Sequence, residues 1–399
     1  MTTSITEVDG RAVELRRRLA GELKESGDLR SPQWRAAVEA VPRETFLHGG
    51  CFRQVPGSPT RWEPVTPDRV GVEDWLELVY SNETLVTQID GKIRFQDVVE
   101  PVAGVPTSSS TLPGLVVRML EELDVHDGMR VLEIGTGTGY STALLCHRLG
   151  SQQVTTIEVD PDVAARAEAA LDSLGYDDYT IITGDGLVGY PYAAPYDRII
   201  ATCSVRRVPY TWVRQTRPGG IILATVNGWL YSSGLAKLHV HEDGTAQGQF
   251  LPGTISFMLA RAHIPPAFDY LDARAFYADS ERPARYGPQI LKEWVPRFVA
   301  QLAAPGAQYT WLMTGNSPET TYLVDVEREA FATLTPTRDG GWMVRQGGPI
   351  ALWDAIEDAL DVWEAAGKPG MEGFRLRITR TEQIVSIDTP TGEMSWTLP

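Results

Sequence analysis

Val131-Leu-Glu-Ile-Gly-Thr-Gly-Thr-Gly-Tyr140 is the stretch whose reading decides the fold. Val131–Ile134 reads as a buried strand that runs straight into Gly135, Thr136, Gly137, Thr138 and Gly139, and a helical pattern follows over 141–149. Glycines between a parallel strand and a helix let a ligand approach the backbone, and the helix start offers unpaired N–H groups. The loop is therefore read as a nucleotide cradle. Its spacing is G-x-G-x-G rather than the G-x-G-x-x-G of dinucleotide sites. Glu133 stands just before the first glycine, where an anionic pyrophosphate is unwelcome. S-adenosylmethionine carries an amino group and a sulfonium, both cationic, and suits a carboxylate there. A dinucleotide and a bare structural turn are the alternatives.

Downstream residues extend the pattern. Gln153–Glu158 reads as the next strand, and its terminal acid, about 19 residues past Gly139, has the position of a ribose-hydroxyl acceptor. Val159 follows it. Pro161 opens a helix over 162–174 that Gly175 closes, the usual Pro-first, Gly-last order. Tyr179–Thr183 is a third strand and ends in Gly184-Asp185-Gly186. Arg198–Thr202 is a fourth. Strands alternating with helices at this spacing predict an α/β fold, with a Rossmann-like, doubly wound parallel sheet.

Between Val41 and Ala260 the chain resembles protein-L-isoaspartate O-methyltransferases. The resemblance is carried by Val41-Pro-Arg-Glu-Thr-Phe46, Pro113-Gly-Leu-Val-Val-Arg-Met119, Leu132–Tyr140, Leu174-Gly-Tyr176, Gly184-Asp-Gly186, Ala194-Pro-Tyr-Asp197 and Arg217-Pro-Gly-Gly220 with the apolar run after it. It implies a methyltransferase that binds S-adenosylmethionine through Glu133, Gly135–Tyr140, Glu158, Val159, Asp185, Gly186 and Thr202. It also implies a peptide substrate. Three departures stand out. The family's serine two residues before the proline is Thr111 here, preceded by Ser108, Ser109 and Ser110. The glycine-rich loop before it is replaced by Tyr80–Gln88 and an insertion over 89–105. The chain also runs on to Pro399, whereas repair members are expected to stop near Ala260. Longer relatives accompany the biosynthesis of ribosomally made, cyclised peptides, and that subtype is the expectation taken here.

Carboxyl methylation asks little of side chains. An aspartate with an ordinary pKa near 3.9 is already ionised at neutral pH, so the work is positioning and desolvation. Ser110 and Thr111 are the expected catalytic hydroxyls, with N-capping of the helix near Pro113 as the plain alternative. Ser109, Arg206 and Arg207 are the expected substrate-binding residues; a surface arginine pair is the plain alternative for the last two.

The chain has 399 residues and a formal charge of −16. An acidic surface argues against nucleic acid, which needs clustered Lys and Arg. The three cysteines (Cys51, Cys146, Cys203) form no CxxC pair, and no metal site is expected. His239 and His241 lack an apparent third ligand. The polar residues 1–10 offer no signal-peptide core, and no apolar run approaches about 18 residues, so a cytoplasmic protein without a membrane partner is expected.

Three regions are expected: a helical and loop region over 1–105, a methyl-donor core over 106–262, and a small α+β domain over 263–399 that is a candidate for peptide recognition. In the last, Trp353, Ile356, Leu360 and Trp363 form an apolar helix stripe, read as core rather than as a peptide groove. Asp354, Glu357, Asp361 and Glu364 form an acidic face, read as solvated. Three functions follow from the sequence. They are a methyltransferase directed at one aspartate of a peptide, yielding aspartimide and isoaspartate; an isoaspartate repair enzyme; and a donor-binding scaffold without turnover.

Overall fold

The structure, a computed structural model, describes residues 5–267, 277–312 and 320–399. Its contacts divide it into two units, Met1–Thr202 with Thr211–Leu223, and Cys203–Tyr210 with Ala224–Pro399.

In the first unit, helix α1 (Ile5–Ser26) is followed by α2 (Pro32–Ala40). Helix α1 buries Ala12, Leu15, Leu19 and Leu23, and Val13 is half-buried. Glu77 on α4 (Val72–Val79), which follows the short α3 (Pro67–Val70), receives Arg11 and Arg18 of α1 at 2.5 Å each. The helix thus packs inside its own unit.

The region read as loop and insertion is a sheet. Strands β1 (Cys51–Gln54), β2 (Arg61–Val65), β3 (Leu85–Ile89), β4 (Val102–Ala103) and β5 (Pro106–Ser110) pair in the order β4-β2-β1-β3-β5. The insertion is folded because it has apolar residues to bury. Ile93, Phe95, Val98 and Val102 pack on Phe52, Val86 and Ile89.

Behind this sheet in sequence comes the expected α/β core. Helix α5 (Pro113–Glu122) leads to β6 (Val131–Ile134), α6 (Tyr140–Leu149), β7 (Val154–Glu158), α7 (Pro161–Ser173), β8 (Thr180–Thr183) and β9 (Tyr196–Val205). Then come α8 (Tyr210–Gln215) and β10 (Thr216–Val226). The order is β10-β9-β6-β7-β8, with β9-β6-β7-β8 parallel. All four β6 residues and all five of β7 are buried, as parallel strands covered on both faces require. The sequence order reverses between β6 and β9. Ligands of open α/β sheets bind at such a switch point, beyond the carboxyl ends of the strands.

The second unit contains the hairpin β11 (Gly234–Val240) and β12 (Ala246–Phe250), which turns at Asp243-Gly244. Its second sheet is β13 (Ser280–Pro283), β14 (Ala307–Leu312), β15 (Thr320–Asp325), β16 (Ala330–Pro336) and β17 (Trp342–Gly347), in the order β13-β17-β16-β15-β14. The sequence Tyr309-Thr-Trp-Leu-Met313 reads as a strand, and its last residue, Met313, lies outside the described residues. Helices α9 (Trp294–Ala303) and α10 (Leu352–Ala365) precede β18 (Arg375–Ile378), β19 (Gln383–Thr389) and β20 (Gly392–Thr397); these three strands and β12 form an antiparallel run.

Trp353, Ile356, Leu360 and Trp363 of α10 are buried. The acidic face is not merely solvated. Glu357 is fully buried and accepts from Arg282 Nη2 at 2.7 Å, from Arg285 Nε at 3.1 Å and from the Arg285 backbone N–H at 2.7 Å. Asp361, one helical turn further on, also pairs with Arg285. Removing one partner of a buried pair strands the other charge, at a cost of about 3–5 kcal/mol. Glu357→Ala should lower unfolding stability by about that amount in denaturant titrations, whereas Asp358→Ala, at an exposed pair, should cost less than about 1 kcal/mol.

Candidate functional site

Gly135, Gly137 and Gly139 take φ of 96°, 56° and 93°, in the left-handed region that favours glycine. A side chain on Gly139 would also sit 3.2 Å from Ala167 Cβ. The loop backbone is fixed by acids. Glu158, at the end of β7, accepts from Gly137 N–H at 2.9 Å and from Asp160 N–H at 3.0 Å. Asp160 in turn caps α7, accepting from Asp162 N–H at 3.0 Å and Val163 N–H at 3.3 Å. A carboxylate on the loop N–H stands where a pyrophosphate would need that donor. The corner therefore disfavours a dinucleotide and fits a nucleoside with a cationic substituent.

Other expected cofactor residues border the same loop. Thr202 Oγ1, across the switch point, donates to Ile134 O at 3.1 Å and also to Gly135 O. Val159 and Asp185 are exposed, and Asp185 accepts from Leu187 N–H at 2.9 Å. A side chain on Gly186 would meet Ile134 Cγ2 at 2.5 Å, so the β8 loop lies close over the end of β6. Thr138 lines a cleft beside the loop.

Three expected ligand residues lie beneath the loop instead. Glu133 is fully buried, and its carboxylate accepts from Ser141 Oγ at 2.5 Å, Thr142 Oγ1 at 2.5 Å and Thr156 Oγ1 at 2.9 Å. Burial raises its pKa, and the three hydroxyl bonds oppose that rise. It ties β6 to α6 and β7 rather than facing a ligand. Thr136 is buried against Thr156, 2.7 Å between hydroxyls. Tyr140 is buried edge-on to Phe46, and burial pushes its phenol up to about 12.

The hydroxyl strand lies against the loop. A methyl built on Gly137 would be 3.5 Å from the Ser109 carbonyl oxygen. Ser108 and Ser110 are buried; Ser109 and Thr111 are half-buried. Ser110 and Thr111 do not cap α5. Its N-cap, Leu112, has no side-chain bond; Thr84 Oγ1 accepts from Leu112 N–H at 3.1 Å and Asn82 Oδ1 from Gly114 N–H at 2.8 Å. A cleft of about 360 Å³, open to solvent, adjoins Gly137, Thr138 and Ser108, with Phe46, His48 and Arg166 in its lining and Phe95 and Gln96 of the insertion among its walls.

The residue that sequence reasoning missed is Arg43. It is fully buried. Its Nη1 donates to Val79 O at 2.7 Å and Ser81 O at 3.0 Å, and its Nη2 to Glu83 O at 2.9 Å, Ser110 O at 3.1 Å and Thr111 O at 3.2 Å. Nε donates to Ser110 Oγ at 3.1 Å. Desolvation pulls its pKa down to about 10, so it stays charged at neutral pH. A lone arginine between Val41-Pro42 and Phe46-Leu47 is a readable signal, since such a charge must find partners if buried.

Arg206 and Arg207 belong to the second unit. Arg206 stacks 3.6 Å above the Trp229 ring and donates to Pro305 O at 2.8 Å; Arg207 is exposed. Among the described residues no group of three or more His, Cys, Asp or Glu could hold a metal ion, and no helix is long and apolar enough to cross a membrane.

The fold and this corner define an α/β nucleoside-binding protein of the methyltransferase type. Residues 77–256 match the family described as Protein-L-isoaspartate(D-aspartate) O-methyltransferase (PCMT). A protein-L-isoaspartate O-methyltransferase of Methanothermobacter thermautotrophicus is 33% identical over 212 residues, covering 53% of this chain and 79% of that one. One from Ignicoccus hospitalis is 41% identical over 135 residues, 34% of this chain and 63% of that one. The chain belongs to the protein-L-isoaspartate O-methyltransferase family. It spans about half to two thirds of the length of several curated relatives that it matches. A solved structure titled protein-L-isoaspartate O-methyltransferase shares the fold, with a TM-score of 0.54 at 22% identity over 93% of this chain and 99% of that one. Residues 257–399 lie past the family match.

Glu133 generates a pH prediction. Its folded pKa lies above the unfolded value of about 4.3. Between those two values the folded state holds the extra proton, so this group's contribution to stability falls as pH rises. Glu133→Gln cannot ionise. The stability of wild type minus that of the variant, from denaturant titrations between pH 4 and 8, should decline with rising pH and then level off. A flat or rising difference contradicts the assignment.

Proposed function

We propose that this chain methylates a carboxylate of an aspartyl or isoaspartyl residue in a peptide, using S-adenosylmethionine. The observation that carries the reading is the hydroxyl strand Ser108–Ser110, with Thr111, held against the glycine loop. The donor, when bound, supplies an electrophilic methyl. The chain's residues do the rest. Glu158 offers carboxylate oxygens to ribose hydroxyls at the end of β7, and the Gly135–Gly139 backbone leaves room for the donor's amino-acid end. Ser110 and Thr111 orient an acceptor carboxylate, with Ser109 beside them. These hydroxyls bind an anion without protonating it, which leaves its nucleophilicity intact. No general base is needed, because the acceptor is already ionised. Family membership favours the isoaspartyl carboxylate as acceptor, the group that the relatives' names state, and with it a repair role.

A second reading is favoured by two observations: the folded insertion that walls the cleft with Phe95 and Gln96, and residues 257–399, which lie past the family match. On this reading the acceptor is one aspartate of a ribosomally made, cyclised peptide. The following backbone nitrogen then attacks the methyl ester, loses its proton and expels methanol to close an aspartimide, which water opens to aspartate or isoaspartate. Residues 263–399 would act as the domain that selects the peptide.

Mass spectrometry decides between the readings. Wild type should add one methyl to a linear isoaspartyl peptide in the presence of S-adenosylmethionine. Methylation or water loss on cyclised aspartyl peptides alone would move the assignment to the second reading. Donor binding without any transfer would leave a scaffold. Because a hydrogen bond to a charged group is worth about 1.5–3 kcal/mol, Thr111→Ala should lower kcat on the order of 10- to 100-fold while leaving donor affinity within about threefold. An unchanged kcat would remove Thr111 from the acceptor site.

A further inference from the structure

Strand β3 contains a bulge where it meets β5. Val86 faces Ser109, Gln88 faces Ser108 and Ile89 faces Pro106, which leaves Thr87 as the extra residue. Bulges re-aim side chains and recur beside active sites. This one turns two polar side chains to separate uses. Thr87 Oγ1 donates to Ser108 Oγ at 3.1 Å and lines the cleft. Gln88 is buried, and its amide bridges two elements: Oε1 accepts from Thr107 Oγ1 at 2.8 Å, while Nε2 donates to Asp160 Oδ2 at 3.1 Å.

Those bonds continue into a chain that reaches the glycine loop. Gly137 N–H binds Glu158, and Glu158 accepts from the Asp160 N–H. The Asp160 side chain accepts from Gln88, and Gln88 accepts from Thr107 at the start of β5. Two residues on, the Ser109 carbonyl returns to the face of Gly137. The glycine loop, the acid proposed to hold ribose and the strand bearing the acceptor hydroxyls are thus joined by one hydrogen-bonded chain from Gly137 to Thr107. Gln88 is the side chain that joins its two halves.

We propose that Gln88 is a positioning residue that couples donor binding at Glu158 to the placement of the hydroxyls on β5; this rests on the methyl-transfer reading above. A donor ribose that engages Glu158 must share or displace its bonds to Gly137 and Asp160. The Asp160 carboxylate transmits that change to β5 through the Gln88 amide. The amide suits this role because it accepts from a hydroxyl at one end and donates to a carboxylate at the other; a carboxylate in its place could not donate.

The test uses Gln88→Glu, Gln88→Leu and the double variant Gln88→Glu with Asp160→Asn in the full chain. Affinity for S-adenosylhomocysteine is measured by calorimetry and kcat by methyl transfer to an isoaspartyl peptide, between pH 6 and 8, beside thermal unfolding. In Gln88→Glu an ionised carboxylate faces Asp160. Both readouts should fall roughly tenfold to a hundredfold at pH 8, the span of a hydrogen bond to a charged group. They should recover toward wild type at pH 6, as the introduced carboxyl takes up a proton and donates again. Adding Asp160→Asn should restore them at pH 8. Gln88→Leu should lose kcat with no pH trend relative to wild type.

A purely structural Gln88 would lower the unfolding temperature without a pH-dependent ratio of activities. A flat ratio for Gln88→Glu, no restoration by Asp160→Asn, or wild-type behaviour of Gln88→Leu overturns the proposal. If Gln88→Glu does not fold, the double variant and Gln88→Leu decide it. The two readings fail separately. A wild type that binds S-adenosylhomocysteine but methylates no carboxyl peptide overturns methyl transfer, while the affinity ratios still decide the role of Gln88.

Discussion

A single buried cation organises the side of this protein proposed to hold the acceptor. Arg43 leaves α2 and enters the space between the segment Val79–Glu83 and the end of β5, and it spends its donors on carbonyls of both. Among the described residues no carboxylate forms an ion pair with it, although the charge of Glu83 favours its protonated form. Backbone dipoles and the Tyr140 ring, 6.0 Å from its guanidinium carbon, offset its charge. Burying a charge without such partners costs several kcal/mol. The sequence from Val79 to Glu83 and the turn at Ser110-Thr111 are therefore held to one geometry. A planar fork of five donors can serve carbonyls from two segments at once, whereas a lysine ammonium cannot reach the same set.

The donor side depends on acids with distinct duties. Glu133, enclosed by hydroxyls, holds β6, α6 and β7 together and presents nothing to a ligand. Glu158, one strand over and at a strand end, is the acid that touches the loop. The two look alike in sequence, each an acid within an apolar strand. Position along the strand separates them. A residue inside a parallel strand is covered on both faces, and one at the carboxyl end opens onto the crevice.

Much of the core was legible because its signals are local. Glycines with positive φ, a Pro-first helix at Pro161 and apolar runs of strand length mark β6, α6, β7 and α7 within a residue or two. The antiparallel sheet over 51–110 was not legible as such, because its strands are short and its pairing joins residues far apart in sequence, such as Phe52 with Val86. The buried face of α10 was readable from helical spacing. The fate of Glu357 was not, since its arginine partners lie some 70 residues earlier. The same holds for Arg43 and Gln88. Both sit in segments whose chemistry is fixed by distant neighbours, and a bulge in β3 decides where Gln88 points.

The account stands or falls on whether Arg43 sets the acceptor geometry. Arg43→Lys keeps the charge and loses the fork. Measured with saturating donor on an unmethylated isoaspartyl peptide, its kcat should drop at least tenfold, while affinity for S-adenosylhomocysteine stays within about threefold of wild type; a tenfold loss corresponds to about 1.4 kcal/mol. Wild-type kcat in a folded Arg43→Lys protein, or a parallel loss of donor affinity, would contradict it.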